Sequence, residues 1–237
     1  MVISGNVLRY FASMALIVMT VHMSAQSNKD SINYKTSHRY LEDQFYAGLG
    51  YNFLLDKPTD VILRNLSYNL QVGFIKDIPI NTRRNFGFGL GLGYAANSYY
   101  NNIVAEEVDG SISYSITSTA DFERSKFETH AIEMPLELRW RTSTIDEYKF
   151  WRIYAGVKLG YVFSGRSKLV TQDGSNGFSN GDIQNFQYGL VLNFGYNTWN
   201  IHAHYSLNPL LKDNISLENG SPIDARVFRI GVIFYIL

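Results

Sequence analysis

The sequence predicts an all-β chain: an eight-stranded antiparallel up-and-down transmembrane β-barrel after a cleaved signal peptide. Three observations lead there. Apolar residues alternate with small or polar ones in segment after segment, an apolar leader stands at the amino terminus, and the connections alternate between long and short. The plainest segment is Asn85–Tyr94, where Phe86, Phe88, Leu90, Leu92 and Tyr94 are separated by Gly87, Gly89, Gly91 and Gly93. A period of two puts each row on its own face of a strand, which helical spacing cannot do. Glycine weakens an open strand, so a row of it suits a wall with a crowded interior on one side and a wide apolar medium on the other.

The elements follow in chain order. Residues 1–25 read as a secretory signal peptide: Arg9 supplies the positive start, Tyr10–Val21 the apolar stretch, and Ser24 and Ala25 the small residues before the cut. That stretch is too short to read as an uncleaved anchor. Residues 26–42 are polar and without period, a flexible periplasmic arm, and residues 43–237 form the barrel. Its strands are expected at Asp43–Leu54, Leu66–Phe74, Asn85–Ser98, Phe127–Arg141, Arg152–Ser164, Asn185–Tyr196, Trp199–Leu207 and Asp224–Leu237. Pro135 inside the fourth implies a bulge or a gap in the ladder. Only Asn197 and Thr198 part the sixth strand from the seventh, a tight hairpin. Leu55–Asn65, Tyr99–Lys126, Gly165–Ile183 and Asn208–Ile223 read as long loops, with Ile112–Thr117 continuing the flanking strands as a hairpin. Lys76–Arg84 and Thr142–Phe150 read as turns. Long loops on one rim and short turns on the other match a bacterial outer-membrane barrel.

Composition narrows the chemistry. With no Cys there are no disulfides, thiolate metal sites or thiol nucleophiles. Lys plus Arg and Asp plus Glu number 21 each, which gives no basic stripe for nucleic acid. Aromatic residues recur near strand ends (Tyr51, Phe53, Tyr94, Trp140, Tyr161, Phe163, Phe186, Tyr196, Trp199), as in interfacial girdles. Alternation alone leaves open a soluble lipocalin-like periplasmic barrel, which would turn the same apolar rows inward around a ligand. The leader, the girdles and the terminal strand favour the membrane reading. In that strand, Gly231, Phe234 and Ile236 fit the terminal signal read by the barrel-assembly machinery, with Leu237 where an aromatic end is commoner.

Eight strands enclose a lumen that side chains can fill. The expected lumen network is Glu133, Glu137, Arg139, Arg152, Lys158, His202, His204 and Arg229, with Asn69, Gln71 and Tyr154 beside it. Acids and bases should pair, because an unpaired charge there costs several kcal/mol. A structural polar core is preferred over a proton or ion path. His202 and His204 share a face as a metal pair would, but spacing supplies no third ligand, so no metal and no cofactor are expected. His204 and Ser206 share a face without a G-x-S-x-G elbow, and no catalytic residues are assigned. The chain reads as no enzyme. The long loops Tyr99–Lys126 and Gly165–Ile183 are the expected contact surfaces for a protein partner.

Glu133–Lys168 (EMPLELRWRTSTIDEYKFWRIYAGVKLGYVFSGRSK) carries Glu133, Pro135, Leu136, Leu138 and Arg139, then Tyr154 and Lys158. It resembles the central segment of the PorT-like outer-membrane β-barrel family of Bacteroidetes, a porin-family group. The resemblance implies an eight-stranded barrel in the outer membrane with no catalytic residues to carry over. The founding members are linked to type IX secretion. A narrow porin or solute channel is the alternative role for the same architecture.

Overall fold

The structure, a computed structural model, describes residues 44–117, 123–142, 151–172, 174–197 and 199–236. The expected leader (1–25), the arm (26–42), most of the Thr142–Phe150 turn, Thr198 and Leu237 lie outside them. No helix occurs among the described residues. Their strands are β1 (Gln44–Leu55), β2 (Tyr68–Pro79), β3 (Phe86–Asn101), β4 (Ile103–Val108), β5 (Ser111–Ile116), β6 (Arg124–Arg141), β7 (Trp151–Thr171), β8 (Gly174–Ser179), β9 (Phe186–Tyr196), β10 (Trp199–Ser206) and β11 (Arg226–Ile236).

Eight of these close a ring. The sheet runs β6-β3-β2-β1-β11-β10-β9-β7-β8, and β6 also pairs β7. Every contact is antiparallel, so β8, which pairs only β7, is an appendage. The seam joins the two ends of the barrel chain, from Phe45↔Ile236 to Leu55↔Arg226. The wall therefore has no free edge, as a hydrocarbon surrounding demands.

The apolar rows face outward. Phe45, Leu49, Leu70, Val72, Leu92, Leu138, Tyr161, Ile201 and Ile230 are all exposed, whereas Gln71, Glu137, Arg139, Lys158 and Arg229 are buried. A lipocalin-like barrel would have the reverse, so that alternative is set aside. Aromatic residues gather at two levels. Trp151, Phe194 and Tyr196 cluster on the turn rim with Trp199–Phe234 and Phe45–Phe74, while Tyr94–His130–Phe163 and Tyr51–Phe53–Phe228 lie toward the loop rim.

The glycines make room for larger side chains. A Cβ at Gly93 would lie 2.0 Å from the Tyr46 hydroxyl, and one at Gly89 would lie 2.6 Å from Arg139 Nε. At Gly156 the obstacle is the Leu136 carbonyl oxygen, at 1.9 Å. Pro135, opposite Gly91, falls in the expected gap: the β3–β6 pairing runs to Leu90↔Leu136 and resumes at Gly93↔Glu133.

Three local expectations are corrected. Lys76–Pro79 is strand, not turn, because Pro79 stands at its end, where a missing N–H costs little. Ile112–Thr117 does not continue the flanking strands; β5 pairs β4 in a separate two-stranded sheet. The stretch from Gly165 to Ser179 is largely β7 and β8, paired from Arg166↔Ser179 to Thr171↔Gly174.

Replacing Gly156 by Val forces a clash with backbone that cannot turn aside. We expect a loss of about 3 kcal/mol or failure to fold. Gly160→Ala, whose new atom would be 3.7 Å from its nearest neighbour, should be neutral or stabilise by up to about 1 kcal/mol. Urea unfolding in micelles measures both; equal tolerance would contradict this packing.

Candidate functional site

Inward-facing residues of the ring build a polar lumen. Nearest the turn rim, Asp77 of β2 accepts from Arg141 of β6 and lies 3.6 Å from Arg139. Arg141 also donates to the Arg84 carbonyl at 2.7 Å. Arg139 donates to Glu137 at 3.0 Å and to Gln44 at 3.2 Å. Its guanidinium lies over Tyr154, 4.4 Å from the ring centre, and 5.4 Å from that of Tyr235. Asn193 donates to Glu137 and to Tyr235, both at 3.1 Å, and its carbonyl meets His202 Nδ1 at 2.6 Å.

A second group lies toward the loop rim. Lys158 sits 2.9 Å from Glu133 and donates to Gln71 at 2.8 Å. Arg229, from β11, is 3.6 Å from the other Glu133 oxygen, and donates to Asn52 at 3.0 Å and Asn97 at 2.7 Å. Asn97 continues the chain by accepting from Asn69 at 2.9 Å and donating to Thr129 at 3.1 Å.

Above the lumen, the loops fold into an apolar cap. Val61, Ile103, Tyr114, Ile183, Leu210, Leu211, Leu217 and Ile223 are buried together with Tyr99, Phe127 and Val162 of the barrel strands. Tyr114 is held there by its hydroxyl, which donates to Asp182 at 3.0 Å and accepts from Asn180 at 3.0 Å. Burial raises the Tyr114 phenol above its ordinary range; Asp182 adds to the shift and the Asn180 bond opposes it.

The structure places the eight residues of the expected lumen network as follows. Glu133, Glu137, Arg139, Arg152, Lys158, His202, His204 and Arg229 are all buried. Glu133 gathers Lys158 and Arg229, and Glu137 gathers Arg139. His204 lies beside Gly189, and Arg152 lies over Tyr235 with 5.9 Å to the ring centre. No group of three or more metal-ligating side chains occurs among the described residues. Gly231 faces Gly50 across the seam, Phe234 packs edge-on against Trp199 with 4.8 Å between centres, and Ile236 is exposed.

Sequence reasoning missed Asp77, Arg141 and Asn97 as members of the network. Asp77 continues the inward parity of Asn69, Gln71, Gly73 and Ile75, and reading the strand through to Pro79 would have found it. Removing the acid from the Glu133 group leaves two buried cations together. Glu133→Gln should cost about 3–5 kcal/mol, and adding Lys158→Met should recover part of it. Micelle unfolding titrations check both; a cost near zero would mean the group is solvated instead.

A family model described as "Outer membrane protein beta-barrel domain" matches residues 24–212. No curated protein matches the chain. Among solved structures, the crystal structure of Ail, the attachment invasion locus protein of Yersinia pestis, is similar at 13% identity with a TM-score of 0.35, covering 81% of this chain and 96% of Ail. A second Ail structure, in complex with the heparin analogue sucrose octasulfate, is similar at 15% identity with a TM-score of 0.33, covering 83% of this chain and 99% of Ail.

Proposed function

The chain belongs to the outer membrane protein β-barrel domain family, and on that premise we propose that it is a non-enzymatic barrel with a closed lumen, acting at its loop rim as a structural or interaction protein. The observation that carries this is the double seal. Buried ion pairs and ring stacks fill the wall-to-wall space, and the loops cover it with an apolar cap. A solute channel needs a continuous wet path, and both layers oppose one. The folded cap offers a partner a surface that is already ordered, so little conformational entropy is lost on contact.

Two finer parts of the reading rest on the sequence. The resemblance of Glu133–Lys168 to PorT-like barrels supports a place near the type IX secretion apparatus. The terminal strand with Gly231, Phe234 and Ile236 supports insertion by the barrel-assembly machinery after export and removal of residues 1–25.

Planar-bilayer recording tests the closed lumen. The folded protein should insert without discrete conductance steps. Reproducible steps from a preparation that shows the folded, heat-dependent mobility would favour the narrow porin and overturn the proposal.

A further inference from the structure

We propose that the outer wall of the β6–β7–β8 ribbon, just beyond the loop-side aromatic row, is a binding site for the phosphate of an outer-leaflet lipid. Four cations stand there. Arg124 and Lys126 come from β6, and Arg166 and Lys168 from β7, while Glu123 and Glu128 are the nearby acids.

Arg124 and Lys126 face outward by the unbroken parity of β6, whereas the outward placement of Arg166 and Lys168 has a specific cause. Below this region the inward residues of β7 are even-numbered, from Arg152 through Tyr154 and Lys158, which by parity alone would send Arg166 and Lys168 into the lumen. The register shifts between His130 and Ala131: Val162 pairs with Ala131 and Ser164 with His130, leaving Phe163 as an extra residue. A bulge of one residue reverses the phase. Beyond it Ser167 is buried, whereas Arg166 and Lys168 are exposed.

The resulting arrangement is unfavourable without an anion. Lys126 lies directly across from Lys168, and like charges so placed destabilise a sheet. Glu128 accepts from Lys126 and stands opposite Arg166, so the acid is shared and Lys168 gains little from it. On the next strand, Gly177 is paired with Lys168 and Ser175 with Val170. The absent side chain of Gly177 and the short one of Ser175 leave a depression of about 260 Å³, lined by Glu128, Arg166, Lys168, Ser175 and Gly177. An arginine fork, a lysine and a serine hydroxyl around a hollow are the groups that hold a phosphate.

Position selects the source of that phosphate. Tyr94, His130 and Phe163 form the aromatic row immediately below, the level at which such rings mark the edge of the hydrocarbon. Arg166 and Lys168 follow Ser164, the partner of His130, by two and four residues. At ~3.3 Å per residue and ~40° of tilt they stand ~5 and ~10 Å above that row. A bilayer's polar layer is roughly 5–8 Å deep on each side, so Arg166 stands within the headgroup layer and Lys168 just beyond it. Elsewhere on this rim Arg226 already has an acid, Asp56, at 3.6 Å.

The test uses the mature protein folded in detergent. It is mixed with a bis-phosphorylated acylated glucosamine lipid or with the same lipid stripped of phosphate, and bound lipid is counted by native mass spectrometry. Wild type should retain the phosphorylated form about tenfold better, and Arg166→Ala with Lys168→Ala should remove that preference. Arg166→Lys with Lys168→Arg should keep most of it, and Lys76→Ala, on β2 toward the turn rim, should keep all of it. Ser175→Asp, which sets a carboxylate in the hollow, should abolish the preference should the alanine pair fail the heat-shift gel for folding. Equal retention of both lipids, or no effect of the alanine pair and of Ser175→Asp, overturns the site. Displacement by inorganic phosphate at concentrations matching the lipid would overturn the lipid as its occupant.

Discussion

Hydrocarbon offers a backbone N–H or C=O no hydrogen-bond partner, so a strand can enter it only within a ring that has no edge. The rest of this structure depends on that closure. β1 and β11 supply it through a ladder that runs the length of both strands. Near its middle, Gly50 faces Gly231, where a Cβ on Gly231 would lie 2.2 Å from the Leu49 carbonyl oxygen. The two backbones come together there because neither residue has a side chain to hold them apart.

Closing so few strands leaves a narrow tube, and narrowness dictates what fills it. Large polar side chains reach across from one wall, and glycine on the other wall receives them: Gly89 receives Arg139, Gly93 receives Tyr46, and Gly50 stands beside Arg229. Charges brought into such a space must meet opposite charges or aromatic faces. Glu133 and Glu137 each answer a cation, and Tyr154 and Tyr235 stack on Arg139. Thus the glycine rows, the buried ion pairs and the exposed leucines and phenylalanines are consequences of one geometry. The apolar cap is a separate, water-driven core at one end of the tube.

Much of this was legible in the chain because period two is a strict code. The glycine-rich run of β3 sorts its residues into two rows, and parity sets Glu133, Glu137 and Arg139 together in the row that the leader, the girdles and the terminal strand assign to the inside. What alternation cannot register is an inserted residue. Phe163 reverses the phase of β7, so the outward placement of Arg166 and Lys168 has no signature in the spacing. Asp77 was hidden for another reason: Pro79 looks like a breaker, yet as the last strand residue it interrupts nothing. The cap was illegible because Val61, Ile183, Leu210 and Leu211 are scattered among polar loop residues and meet only through tertiary folding.

All three tryptophans, Trp140, Trp151 and Trp199, lie on the outer wall at the turn rim, with Trp151 49% and Trp199 66% exposed. Quenching of their fluorescence by phospholipids brominated at graded depths therefore reports directly on which face of the barrel meets lipid. Strong quenching is expected, greatest with bromine near the headgroup end of the acyl chain and falling toward its methyl end. No quenching at any depth, or quenching strongest at the bilayer centre, would contradict an apolar outer wall with its tryptophans at the membrane interface.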